Sequence, residues 1–171
     1  MANEVFIKTN ILRLQENFAK WMSAIEDNSK AFEMFVPQFQ NSRVGWIYAG
    51  RTVDGVRMAK LSPKYKKAKE KKYGTQPILI ASGDLIKAIR GGSGWEQVIE
   101  PKSLEMGIDL DYASYHQDGT AKMPQRNYFL TRDGTLNKMD YAQLLQAMEG
   151  KINADTEAIL NQTITEMAMG R

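Results

Sequence analysis

Both ends of the chain carry apolar residues at helical spacing, and this pattern constrains the fold more than any other feature. From about Ile7 to Asp27, apolar side chains recur at steps of three and four residues, which places them on one face of an amphipathic helix. From about Asn137 to Met167 the same spacing recurs, interrupted at Gly150. Because glycine favours helix ends, we predict two successive helices there, with Gly150 ending the first.

The segment after the first helix combines a short helical pattern with large apolar residues among turn formers. Ser29 is suited to cap a second helix that reaches about Phe35, since Pro37 limits its extension. Residues 41–58 then predict a flap or hairpin that turns at 54–55. This segment is expected either to pack on the chain's own core or to form a subunit interface. The large apolar residues concerned are Trp46, Ile47 and Tyr48.

Two further helices are predicted in the middle of the chain. Ser62 followed by Pro63 is a strong helix start, because the serine hydroxyl can cap the helix and proline suits its first position. This helix is expected to run to about Tyr73 and to end at Gly74. A shorter helix fits 82–90, where apolar residues again recur at helical spacing.

Short strand patterns follow the helices. Residues 95–100 and 104–110 predict two strands on either side of a turn. Met123–Leu130 is predicted as another strand, which Pro124 would confine to the edge of a sheet because proline lacks an amide hydrogen. The sequence therefore predicts a small antiparallel sheet in the centre of the chain.

The length of 171 residues predicts a single domain, 1–171, large enough to bury a stable core. It divides into N-terminal helices (1–40), the flap or hairpin (41–58), a central region (59–130) and C-terminal helices (131–171). The fold class that follows is α+β, with N- and C-terminal helices around a small antiparallel sheet.

The chain holds no cysteine and one histidine, which excludes disulfides, thiolate metal sites and histidine-rich metal sites. Ser114, His116 and Asp118 have the composition of a catalytic triad, but their spacing does not align the three groups in a helix or a strand. We therefore expect His116 to be a hydrogen-bonded structural residue. We also expect no enzymatic activity, no catalytic residue, no metal site and no cofactor.

The hydropathy pattern predicts a soluble chain. Residues 1–10 are polar and charged where a secretory signal would be apolar. The sequence contains no apolar run of the roughly 18 residues that a membrane-spanning helix requires. We accordingly expect no contact with a membrane.

The net charge of +3 is divided unevenly along the chain. Residues 60–99 hold nine lysines and arginines against three acidic residues, a net +6, whereas residues 100–171 carry a net −4. A helix over 64–72 would be cationic around most of its circumference, so it would contact DNA phosphates, contact an acidic partner, or remain a solvated surface. The lysines concerned are Lys64, Lys66, Lys67, Lys69, Lys71 and Lys72.

Four short motifs follow one another in the central region. They are KLSPKY at 60–65, IASGDL at 80–85, YASYHQDG at 112–119 and MPQRNYF at 123–129. In this order and at this spacing they resemble the phage virion morphogenesis (tail completion) family of Mu-like phages and prophages. The resemblance covers about residues 58–130, with helices expected on either side.

The resemblance implies a non-enzymatic virion protein that is similar in fold to tail terminators. Such a protein assembles in the host cytoplasm into a homo-oligomeric ring, expected here to be a hexamer, at the virion neck or tail end. The ring would complete the tail and contact the tail tube or neck connector proteins, with genomic DNA passing through its lumen. The alternatives are a head–tail connector ring of different stoichiometry and a small non-specific DNA-binding protein.

Some motif residues have an evident scaffold role. Gly83 would permit a tight turn into the helix that follows it, and Gly119 would end a short helix. Arg126 is a candidate for an ion pair between subunits. The motif residues to which the resemblance assigns a structural role are Ser62, Pro63, Gly83, Leu85, Tyr112, His116, Gly119, Met123, Pro124, Arg126 and Phe129.

Overall fold

A computed structural model of the protein describes residues 15–168. Residues 15–26 form a helix, α1, which confirms the described part of the predicted N-terminal helix; positions 7–14 of that prediction lie outside the described residues. The fold class is α+β, as predicted: helices at both ends flank a single two-stranded antiparallel sheet within the described part of the chain.

Helix α2, Ser29–Tyr48, is much longer than predicted and passes through Pro37 without ending. Pro37 lies on the exposed side of the helix, while Phe35, Phe39 and Ile47 on the opposite side are fully buried. A proline inside a helix costs about 3 kcal/mol, whereas burying one large apolar side chain contributes about 1.5–3 kcal/mol. Packing of several such residues therefore outweighs the local cost, and the predicted flap over 41–58 is wrong as far as residue 48.

The rest of the predicted flap is a tight turn. The amide of Thr52 donates to the Val56 carbonyl at 2.8 Å, and Arg51 and Arg57 form an isolated antiparallel bridge. Gly55 lies inside this turn at a φ of 79°, a conformation that favours glycine. The turn predicted at 54–55 is thus confirmed, but it follows a helix instead of a strand.

Helix α3, Pro63–Tyr73, begins and ends as predicted. The Ser62 hydroxyl accepts a hydrogen bond from the Tyr65 amide at 3.3 Å, and Gly74 ends the helix at a φ of 73°. Helix α4, Asp84–Ile89, is slightly shorter than the predicted helix over 82–90.

The sheet consists of strands β1, Trp95–Glu100, and β2, Ser103–Ile108, in antiparallel register from Trp95 opposite Ile108 to Glu100 opposite Ser103. A short helix, α5, Ala113–Asp118, follows. The two strands are the predicted ones.

The strand predicted over Met123–Leu130 is wrong. Its backbone groups bind elsewhere: the Arg126 amide donates to the His116 carbonyl at 2.8 Å. Further along, the Gln117 side chain accepts from the Phe129 amide and donates to the Leu130 carbonyl, both at 3.0 Å. Because α5 satisfies these groups, the segment lies along that helix instead of pairing with a strand.

Helix α6, Lys138–Ala168, is continuous, so the predicted division into two helices at Gly150 is wrong. A glycine inside a helix costs only about 1 kcal/mol, and α6 packs along both α2 and α1. Asn17 bonds to Thr163 and Trp21 to Thr156, so α1 lies antiparallel to the second half of α6. Lys151 completes this helix pair by donating to the Ala24 carbonyl.

The buried residues form two clusters that share Phe129. The larger cluster joins the end of α2 to α4 and α5 through Ile47, Leu85 and Ala113, and it includes Tyr128 from the segment after α5. The smaller one joins α2 to α6 around Phe35 and Phe39. Within residues 15–168, no helix is long and apolar enough to cross a membrane.

Candidate functional site

The four motifs, although separated along the chain, line one cavity of about 740 Å³. Helix α3 forms one wall, the segment before α4 forms the second, and α5 with the 122–126 loop forms the third. Only Lys69 of α3 is buried, so the cavity separates most of this helix from the core. The volume falls in the range typical of small-molecule pockets, about 300–1,000 Å³.

Most of the cavity wall is apolar or aromatic. Tyr65 and Tyr73 lie on the α3 side, and Tyr112 lies opposite at the start of α5. Desolvation by burial and the nearby Asp84 carboxylate raise the pKa of Tyr112. The aliphatic part of the wall comprises Leu61, Ile78, Leu79, Ile80, Leu85, Met123 and Pro124.

Arg126 is a buried cation that lines this cavity, with 3% of its surface exposed. Its Nε donates to the Ala59 carbonyl at 3.1 Å. Within residues 15–168 no carboxylate lies within 4 Å of its guanidinium, and its two terminal nitrogens make no hydrogen bond. Desolvation lowers the pKa of Arg126, although Tyr65 opposes this. Arg126 is buried and lines this cavity, so the predicted ion pair between subunits requires a carboxylate that enters the cavity.

His116 lines the cavity beside Arg126, and its ring meets the Tyr112 ring edge-on with centroids 5.8 Å apart. Its Nδ1 is buried and has no hydrogen-bond partner among the described residues. The expectation of a hydrogen-bonded histidine is therefore wrong for this nitrogen. Burial, and then the positive charge of Arg126, lower the pKa of His116 and favour its neutral form.

Lys69 corrects the prediction of a uniformly exposed lysine surface. Its side chain is buried, and Nζ donates to the carbonyls of Gln76 at 3.0 Å and Pro77 at 2.5 Å. Desolvation lowers the pKa of Lys69. This lysine holds α3 to the 76–77 loop, and it lines the cavity instead of facing solvent.

The other five predicted lysines are exposed on α3, away from the core. Lys66 approaches Glu70 at 3.8 Å, and Lys72 lies 4.9 Å from the Tyr73 ring centre and bonds to that tyrosine, which raises the pKa of Lys72. One surface of the molecule is therefore strongly cationic, as predicted, and comprises Lys64, Lys66, Lys67, Lys71 and Lys72.

Backbone geometry shapes the cavity at two motif glycines and at one leucine. Gly83 precedes α4 at a φ of 94°. Gly119 ends α5 at a φ of 78°, and a Cβ there would lie 2.8 Å from the Gln125 amide nitrogen. Leu79 adopts a φ of 70°, which is strained for a side chain of this size. The predicted roles of both glycines are confirmed.

The remaining motif residues divide between the helix cap, the cavity wall and the core. Ser62 and Pro63 form the start of α3, while Met123 and Pro124 line the cavity. Leu85 is buried, and Phe129 packs between the two clusters. The motifs are thus mainly the framework of one cavity.

The three apolar residues predicted as a possible interface lie in the last turn of α2. Ile47 is fully buried in the core, which excludes it from a subunit interface in the folded chain. Trp46 is half-buried, and Tyr48 is 54% exposed. Tyr48 alone of the three presents a large free surface.

Sequence reasoning missed a second buried arginine. Arg43 of α2 forms a bidentate ion pair with Asp140 of α6, at 2.9 and 2.5 Å. Asp140 also accepts from the Asn137 amide, while its own amide donates to the Asn137 side chain, a reciprocal helix cap. The spacing Asn137-x-x-Asp140 signals that cap, but nothing in the sequence indicates that Arg43 is its partner.

No cluster of histidine, cysteine, aspartate or glutamate suited to a metal ion occurs within residues 15–168. Comparisons of the chain with protein-family models, with curated proteins and with solved structures find no match.

Proposed function

We propose that the protein is a structural component of the phage neck or tail end, which forms a homo-oligomeric ring that completes or terminates the tail. The observation that carries this proposal is the convergence of the four family-like motifs on one cavity. Segments up to about 60 residues apart in the sequence thus form a single unit, as expected if the resemblance reflects a shared fold. The protein's work in this proposal is assembly, without catalysis.

The helix pair formed by α1 and α6 supports self-assembly. Large apolar side chains remain exposed on it, in pairs four residues apart that each form a stripe. Exposed apolar patches of this kind are typical of interaction surfaces. The residues concerned are Phe18 and Met22 of α1, and Leu160 and Ile164 of α6.

The cationic surface of α3 supports a place next to DNA or an acidic partner. Its five exposed lysines have one acidic neighbour on the helix, Glu70. Lysine presents a point charge without the fork that reads bases, so the contact expected is sequence-independent and weakened by salt. In a ring, this surface would face the lumen or an adjoining ring.

Ring formation is tested by mass photometry and negative-stain imaging of the purified chain at micromolar concentration, alone and with tail-tube protein. We expect closed rings, and their symmetry distinguishes a hexameric terminator from a connector of different stoichiometry. The double variant L160D/I164D should prevent assembly, whereas N161D/T165D, which adds the same charge on a neighbouring face of α6, should not. Monomers under every condition would contradict the proposal.

A second candidate function, non-specific DNA binding by the free monomer, is favoured by the same exposed lysines. If these lysines serve the ring proposed above, we expect K64Q/K66Q/K67Q/K71Q to weaken assembly or infectivity. The control K30Q/K87Q/K102Q/K138Q removes as many exposed lysines elsewhere and should have little effect. A monomer that shifts duplex DNA at low salt, and never forms rings, would establish the second function and contradict the first.

A further inference from the structure

The buried guanidinium of Arg126 lacks a counter-charge. Its Nε donates to the Ala59 carbonyl, but no hydrogen bond joins its two terminal nitrogens to a group within residues 15–168. The residue lines the cavity. Burying a charge without pairing it is costly, and proteins normally pair such groups or neutralise them. A guanidinium stays charged in proteins, so the arrangement points to an anion that enters the cavity.

The groups around Arg126 favour a ligand that carries a negative charge. His116, whose buried Nδ1 has no hydrogen-bond partner among the described residues, lines the cavity together with Lys60 and Lys122. The single lining carboxylate, Asp84, accepts from the Ser82 hydroxyl at 2.5 Å and lies 4.0 Å from Lys87 on α4. The lining is therefore net cationic, and its one carboxylate, Asp84, already contacts Ser82 and Lys87.

The rest of the cavity suits an apolar body. Leucine, isoleucine, methionine and proline side chains also line the cavity. A DNA duplex does not fit, because its phosphates lie on a rigid surface too wide to enter a cavity of about 740 Å³. Two free guanidinium nitrogens match the two oxygens of a carboxylate in a bidentate contact.

We propose that this cavity binds a carboxylate carried on an apolar body, with the two terminal nitrogens of Arg126 donating to the carboxylate oxygens. The same chemistry is offered by a free medium-chain carboxylic acid and by the C-terminus of a polypeptide that ends in apolar residues. The inference is independent of ring formation, since the cavity belongs to a single chain.

The first test is calorimetric titration with hexanoate, octanoate and decanoate. We expect affinity to rise about fourfold for each added methylene, as burial of apolar surface requires. Octanol and octylamine should bind at least about tenfold more weakly than octanoate, because neither pairs with Arg126. Equal binding of octanol and octanoate, or binding of inorganic phosphate in preference to octanoate, would overturn the proposal.

Peptides identify the source of the carboxylate. A short peptide that ends in two leucines is compared with the same peptide as a C-terminal amide, and with octanoate. Tighter binding of the free-acid peptide than of octanoate supports a polypeptide terminus, and the reverse order supports a small carboxylic acid. Equal binding of the acid and amide peptides would count against the carboxylate contact.

Two variants place the ligand in the cavity. R126Q should weaken octanoate binding at least about tenfold, whereas R132Q, which removes an exposed arginine, should leave it unchanged. A81L narrows the cavity without removing charge and should also weaken binding, so the test stands even if R126Q fails to fold. In the unaltered protein, octanoate should shift the NMR signals of His116; unchanged signals on saturation, or binding unaffected by A81L, would overturn the assignment.

Discussion

Within residues 15–168 the protein buries two arginines, and their side chains differ sharply in their partners. Arg43 is fully buried and donates to the Phe129 carbonyl, the Ser42 hydroxyl and both oxygens of Asp140, with the Phe39 ring 3.9 Å from its guanidinium carbon. Arg126 is 3% exposed, and its side chain donates one hydrogen bond within residues 15–168, to the Ala59 carbonyl. Nearly equal burial therefore accompanies very different pairing.

The difference separates a structural site from a binding site. At Arg43 all three guanidinium nitrogens donate to groups of the same chain, and these bonds tie α2 to the start of α6. At Arg126 the donors that remain free open into a cavity with apolar walls. A guanidinium whose nitrogens are bound within the chain stabilises the fold. A guanidinium with free nitrogens can instead bind a ligand that supplies the missing acceptors.

The largest expected effect is at the saturated site. D140A should reduce the free energy of unfolding by about 3–5 kcal/mol, because it leaves the Arg43 charge buried and unpaired and removes the cap of α6. Urea denaturation followed by circular dichroism measures this. The double variant R43M/D140L should be less destabilised than D140A; equal loss in the two would show that the unpaired charge is not the cause.

Next in size is the turn that carries the Arg126 loop onto α5. G119A should destabilise the protein by about 2–4 kcal/mol, since it combines a positive φ with a Cβ 2.8 Å from the Gln125 nitrogen. The matched control is G55A, which has nearly the same φ, 79°, but open space around the Cβ, and should cost about 1 kcal/mol. Thermal unfolding compares them, and equal losses would mean that the close packing at Gly119 contributes nothing.

Removal of Arg126 itself should have a small effect on stability. R126Q loses one hydrogen bond, worth about 1 kcal/mol, but it also removes a charge whose burial is not compensated. We expect a change of about 1 kcal/mol or less in the free energy of unfolding by urea. A loss of stability as large as that of D140A would contradict the assignment of Arg126 to a binding site, because it would show that Arg126, like Arg43, stabilises the fold.

Local signals predicted the parts of the fold that depend on neighbouring residues. The serine–proline start of α3, its glycine end and the two strands around residue 101 are each specified within a few residues, and the structure has them there. The helix through Pro37 and the continuous α6 were missed, because tertiary packing outweighs the local preference of proline or glycine.

The candidate site was predictable in its members but not in its chemistry. The motifs supplied fifteen of the twenty residues that line the cavity, including His116 and Arg126. Their burial and missing partners depend on how α3, α5 and the 122–126 loop meet, which no spacing in the sequence encodes. Lys69 shows the same limit: it looks like its neighbours in sequence, and only the 76–77 carbonyls distinguish it.

The smallest expected effect is a pH dependence of stability that arises at His116, which lines the cavity beside Arg126. Burial and the Arg126 charge hold the pKa of His116 below its ordinary value of 6.5. As the pH falls, the unfolded chain therefore takes up a proton at this residue before the folded chain does. The contribution of neutral His116 to stability is therefore complete above about pH 6.5 and is lost as the pH falls from there through the folded pKa.

Because this is the chain's one histidine, an NMR titration reports its pKa directly, and urea midpoints at successive pH values report the stability. H116Q should lack this component of the pH dependence. R126Q should raise the pKa of His116 by removing the repulsive charge, whereas R132Q should leave it unchanged. Identical His116 titrations in the unaltered protein, R126Q and R132Q would contradict the electrostatic effect of Arg126 on His116.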